Sequence, residues 1–152
     1  MIAAPTTSLA TTPTDCPSDG PLMVVDTSAI MALLLGEPEA AQVDSLLSTT
    51  ATVISAANHV ELMIVVESRA GAAGVLIADE LMRRCEIGIE PITAQVAQLA
   101  LDGWRRFGKG RHIAALNYGD CFSYGLALAR SDSLLYVGSD FSQTDVESAL
   151  IV

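Results

Sequence analysis

The chain has 152 residues, enough for one domain with a sizeable core and too few for two ordinary ones. Its apolar fraction of 51% and mean hydropathy of +0.43 are high, but no run approaches the roughly 18 apolar residues of a bilayer span, which argues against a membrane protein. The net charge is −10, or −8 with Asp15 and Asp19 of the first 22 residues set aside, and this excludes nucleic-acid binding through bulk charge.

The opening MIAAPTTSLATTPTDCPSDG is rich in Thr, Pro and Ala, has no helical or alternating period and carries no Lys or Arg. Residues 1–22 are therefore expected to be a disordered tail with neither an export nor a transit signal. Met23 stands directly before the first strand and offers an alternative translation start, which would make the preceding residues non-native. Cys16, Cys85 and Cys121 are odd in number and have no metal-type spacing, so reduced thiols in a cytoplasmic protein are expected.

LMVVD (22–26) reads as a buried strand that leaves the core at Asp26. TSAIMALLLG follows as a helix opened by Thr27 and Ser28 and stopped at Gly36, and EPEAAQVDSLLS as a second helix with Pro38 near its start. TVISA (52–56) is a β-branched strand, and NHVELMIVVESRA a helix capped at Asn58 with Glu61 in its first turn. After the glycines at 71 and 74, VLIADELMRRC is a separate amphipathic helix. IGIEPI (87–92) is a strand broken by Pro91, and TAQVAQLALDGWRRF a helix capped at Thr93. GKGRHIAALNY is a loop, GDCFSYGLALARS a helix with Asp120 at its cap, and LLYVG (134–138) the last strand, with Asp140 two residues beyond it. TDVESALIV is short and ambiguous.

Strands separated by helices, apolar and without alternation, predict a parallel sheet covered on both faces: an α/β protein in a single domain over residues 23–152. In such folds the site lies outside the carboxyl ends of the strands. Asp26 and Asp140 each follow a strand, while Glu61 and Asp120 each start a helix, so all four can meet at that edge. Each also has a plainer role, as helix cap, dipole partner or turn former. If they converge, their mutual repulsion calls for a cation. A set with no His or thiolate favours Mg²⁺ or Mn²⁺, which suits phosphodiester hydrolysis by a metal-activated water. Thr27, Ser28 and Ser139 are placed to orient the acids or their waters, or simply to cap helices. Arg105, Arg106, Lys109 and Arg111 cluster in WRRFGKGRH, where they either face RNA phosphates or answer a helix C-terminal dipole.

MVVDTSAIMALLLGEPEA, NHVEL, LNYGDCFSYGLALA and LLYVGSDFSQTDV resemble, in order and spacing, the PIN-domain ribonuclease toxins of bacterial VapBC type II toxin–antitoxin pairs. The resemblance covers about residues 23–150, and GDCFSYGLALA and GSDF-x-x-TDV are its specific parts. It implies a three-layer α/β/α sandwich and an Mg²⁺- or Mn²⁺-dependent endoribonuclease. By position, Asp26, Glu61, Asp120 and Asp140 match the family's acidic quartet, with Asp140 the most variable of the four. The resemblance also implies an RNA substrate, a VapB-type antitoxin that covers apolar helical surface, and a homodimer. Two other readings fit part of the pattern. An aspartyl-nucleophile phosphohydrolase would use Asp26, but Ser28 stands where its second acid is expected. A catalytically inactive PIN-like interaction module would leave the intact quartet without a use.

Overall fold

The computed structural model describes residues 22–150, so the expected tail lies outside the described residues except for Leu22, which already opens the first strand. Four strands form one parallel sheet: β1 (Leu22–Val25), β2 (Ala51–Ser55), β3 (Gly88–Glu90) and β4 (Ser133–Leu135), in the order β3-β2-β1-β4. Met23 pairs with Thr52 on one side and with Ser133 on the other, and Ile54 pairs with Ile89. The connections carry five helices, α1 (Thr27–Leu35), α2 (Ala40–Thr49), α3 (Ala56–Arg84), α4 (Ala94–Phe107) and α5 (Tyr118–Arg130).

This order follows from the handedness of parallel crossovers. Moving from β1 to β2 to β3, the chain adds strands in one direction and lays α1, α2 and α3 on one face. It then returns to the far side of β1 for β4, which places α4 and α5 on the other face. Strand side chains divide accordingly between two cores. Met23, Val25, Ile54 and Leu135 pack with Ile30, Val43 and Leu62, while Val24, Val53 and Leu134 pack with Val96, Leu126 and Tyr124. Because both faces are covered, the strands have no polar alternation, as the sequence predicts.

Several boundaries differ from expectation. The NHVEL helix starts at Ala56 rather than Asn58, because Ser55 caps it by accepting the Asn58 N–H at 3.0 Å. Glu61 consequently sits in the second turn. The two helices expected on either side of Gly71 run as one element, α3, interrupted only at that glycine (φ 62°, ψ −159°). The last strand is shorter than LLYVG and ends at Leu135. The ambiguous tail forms a 3-10 turn at Phe141–Gln143 and then covers the β4 edge, where Leu134 N–H donates to Glu147 O and accepts Ala149 N–H on its carbonyl. No helix among the described residues is long and apolar enough to cross a membrane, and Cys85 and Cys121 are buried free thiols.

Candidate active site

The sheet reverses its strand order at β1, between β2 and β4. The crevice beyond the carboxyl end of β1 is therefore the natural place for a site. Asp26 is the first residue after β1 and caps α1, where its Oδ2 accepts the Ser28 N–H at 2.9 Å and the Ser28 hydroxyl at 2.7 Å. Its Oδ1 accepts the Ser123 hydroxyl at 2.5 Å, a contact that spans 97 positions in the chain. Asp26 is only 3% exposed, and Ser123 is fully buried. The Ser28 hydroxyl in turn accepts the Val137 N–H at 3.2 Å, which ties the acid to the segment after β4.

Glu61 is held from α1 and from its own helix. The Thr27 hydroxyl donates to its Oε2 at 2.8 Å, and the Asn58 amide donates to the same oxygen at 3.3 Å. Asn58 is itself fixed: Ser55 Oγ donates to its Oδ1 at 2.5 Å, and its amide also donates to Gly119 O at 2.9 Å. A β-carbon at residue 119 would collide with the Glu61 carboxylate. The glycine before Asp120 therefore lets the α5 start pass directly over Glu61.

Asp120 is not the helix cap. Asn117 caps α5, accepting the Asp120 N–H on its Oδ1 at 2.9 Å, and Asp120 Oδ2 accepts the Asn117 N–H at 2.8 Å in a reciprocal capping box. Burial pushes the Asp120 carboxyl up to about 7. The Asn117 N–H opposes that shift, and the negative charges of Asp26, Asp140 and Glu61 add to it. The other three expected acids thus all act on Asp120 electrostatically, and no Lys, Arg or His contributes to its shift. Asp140 is exposed and makes no capping bond at the 3-10 turn it precedes. Ser139, expected to orient it, only accepts the Ser142 hydroxyl on its carbonyl at 2.6 Å.

Hydrogen bonding leaves part of the quartet uncommitted. Among the described residues, Asp120 Oδ1 and Glu61 Oε1 accept no hydrogen bond, whereas the second oxygen of each is anchored. No three Asp, Glu, His or Cys side chains among the described residues are drawn together tightly enough to form a preformed metal cage. The donor set is all oxygen, lacks a counter-cation and keeps free carboxylate lone pairs, which suits a hard divalent ion that also retains water. It does not suit zinc.

The basic cluster is divided. Arg105 pairs with Asp102, and Arg106 pairs with Asp145 while donating to the Tyr124 hydroxyl and lying over Phe107. Lys109 and Arg111 form no ion pair among the described residues, and the Arg111 guanidinium lies 4.0 Å from the centre of the Trp104 ring. Ser123 and Asn117 support the acids without having been expected to, and Asn58, expected as a helix cap, instead holds Glu61. Asn117 stands three residues before Asp120, a spacing that can be recognised as a capping box. Nothing in the sequence ties Ser123 to Asp26.

A parallel α/β/α sandwich with four acids at the crevice of its sheet has the architecture of a PIN-like protein. The PIN domain model matches residues 23–147, and the chain belongs to that family and, within it, to the VapC ribonucleases. It is 38% identical to Ribonuclease VapC30 of Mycobacterium tuberculosis over 130 residues, which cover 85% of this chain and 99% of that one. Among solved structures, its fold matches Mycobacterium tuberculosis VapC20, a Sarcin-Ricin loop cleaving toxin, with a TM-score of 0.65 and 18% identity over 82% of this chain and 95% of that one. It also matches VapBC2 of Rickettsia felis bound to a promoter DNA fragment, with a TM-score of 0.64 and 14% identity over 80% and 90% of the two chains.

Proposed function

We propose that the chain is the toxin of a bacterial type II toxin–antitoxin pair, an endoribonuclease that hydrolyses RNA phosphodiester bonds with Mg²⁺ or Mn²⁺. The observation that carries this reading is the buried Asp120 carboxyl, raised to about 7 beside three further acids with no cation among them. Asp26, Glu61, Asp120 and Asp140 would hold the ion. When bound, it would polarise the phosphoryl group and supply a water acidic enough to attack at neutral pH.

The chain's own part is to fix those oxygens in advance. Ser28 and Ser123 clamp both oxygens of Asp26, and Thr27 and Asn58 hold one oxygen of Glu61 while the other stays free. Partners of this kind are worth about 10–100-fold in metal affinity or activity. Asp120 uses one oxygen in the capping box and presents its charge at the start of α5, where the helix dipole favours an anion. Asp140, exposed and unbonded, is free to adjust to substrate.

An antitoxin partner is supported by the apolar surface. Leu35 and Ile77 are more than half exposed and line one groove between α1 and α3, and apolar surface of this kind marks a docking face. We assign that face to a VapB-type chain in the cytoplasm, with a homodimer of toxins as the assembly core. The nuclease reading is tested by incubating purified protein with structured RNA and Mg²⁺ or Mn²⁺, beside EDTA and an Asp26→Asn/Asp120→Asn double variant. Cutting that disappears in both controls is the expected result. Cutting that survives the double variant would remove the acids from the chemistry.

A further inference from the structure

A cavity of about 520 Å³ opens between α4 and α5, next to the acid cluster but separate from it. Its walls are Leu101, Trp104, Tyr118 and Phe122, and its polar lining comes from Lys109 and Asn117. Asn117 links the two places: it lines the cavity, and its side chain closes the capping box holding Asp120. Tyr118 is 80% exposed and meets Phe122 edge to face at 4.9 Å, and Trp104 is 39% exposed. Ala97 and Ala100 of α4 also line the cavity and leave room between the rings.

Aromatic rings beside unneutralised cations distinguish this cavity from the other apolar surface among the described residues. Only Arg69, Lys109 and Arg111 stay outside ion pairs among the described residues. Lys109 lines the cavity and Arg111 lies beside it on the Trp104 ring, whereas Arg69 lines a groove between α1 and α3 that has no aromatic wall. In a chain of net charge −10, aromatic rings beside unneutralised cations match a ligand with flat π-faces on an anionic backbone. Single-stranded RNA is such a ligand, since its unstacked bases dock on aromatic side chains while its phosphates meet Lys and Arg.

We infer that this cavity takes an unstacked base of the RNA strand, next to the phosphodiester presented to the acids. The inference rests on the ribonuclease reading and deepens it. Tyr118 and Trp104 supply the stacking surfaces, and Lys109 and Arg111 meet the phosphates flanking the base. Stacking accepts any base, so the cavity positions the strand and the sequence preference arises elsewhere.

Trp104 is the chain's only tryptophan, so its fluorescence reports the cavity directly. The full chain is titrated in EDTA, where nothing is cut, with a short single-stranded RNA and with an abasic strand of the same length. Saturable quenching by the RNA, with little by the abasic strand, is expected. Tyr118→Ala should weaken the RNA about tenfold without lowering the melting temperature. Equal quenching by both strands, or unchanged affinity in Tyr118→Ala, overturns the base pocket. A fluorescence change that follows protein concentration rather than RNA also overturns it and assigns the cavity to a second copy of the chain. Metal-dependent cleavage is followed on the same preparations. Cleavage without quenching overturns the pocket and leaves the nuclease reading standing; quenching without cleavage supports the pocket and overturns the role of the acids.

Discussion

Asp120 is where folding and function oppose each other. Its carboxyl rises from 3.8 to about 7 because burial and three neighbouring charges disfavour the ionised form. An acid whose folded pKa exceeds its unfolded value binds its proton more tightly when folded. It therefore destabilises the metal-free protein fully above pH 7, and the penalty fades as the pH falls toward 4. Asparagine at 120 still accepts the Asn117 N–H but carries no charge, so Asp120→Asn should stabilise the metal-free protein at pH 8 by up to about 4 kcal/mol. Thermal melts from pH 5 to pH 8 should show a falling melting temperature in the native sequence and a flatter one in the variant, and saturating Mg²⁺ should narrow the gap. A variant that melts lower at every pH would mean that the charge matters more to the α5 dipole than burial opposes it. The residue pattern reveals the acid but not this balance. Asp120 is visible in GDCFSYG, whereas Ser123, which completes the clamp on Asp26, is a small polar residue on an apolar helix whose partner lies across the fold.

At the scale of elements, glycine has two different meanings in this chain. Gly119 is a close approach, as the Glu61 carboxylate leaves no room for a side chain. Gly71 has open space around it but a backbone (φ 62°, ψ −159°) that is almost exclusive to glycine. Gly71→Ala should therefore cost about 1–3 kcal/mol through the backbone alone, read as a lower urea midpoint, with metal-dependent cleavage by the folded fraction unchanged. A neutral result would show that α3 can straighten or re-register through the kink. The same element explains where the sequence reading of boundaries falls short. Gly71 and Gly74 look like a loop between two helices, but one glycine absorbs the whole change of direction and helical bonding resumes at once. Likewise Ser55 is read as an interior residue of the strand TVISA, although it ends that strand and, through Ser55-x-x-Asn58, caps the next helix. The strands and helix interiors were readable because burial on two faces leaves an unbroken apolar signal, whereas helix ends depend on which of two nearby polar residues turns inward.

At the scale of the molecule, an acidic protein must hold a polyanion, and the distribution of its few cations decides how. The sequence places four basic residues together in WRRFGKGRH, but folding commits Arg105 to Asp102 and Arg106 to Asp145, which leaves Lys109 and Arg111 for phosphate. Each phosphate contact with a single strand contributes about −0.7 to the slope of log affinity against log salt. Two free cations predict a slope of about −1.4, and four would predict about −2.8. Short single-stranded RNA, titrated in EDTA over a range of KCl concentrations, distinguishes these cases. A shallow slope that falls further in Lys109→Ala would mean that aromatic stacking, rather than a basic surface, holds the strand. A slope near −2.8 would require Arg105 and Arg106 to leave their acids on binding. Releasing Arg106 would also break its bond to the Tyr124 hydroxyl, which ties α4 to α5, while Tyr124 and Asp145 stay bonded to each other, so RNA binding would then loosen the helix pair that frames the aromatic cavity.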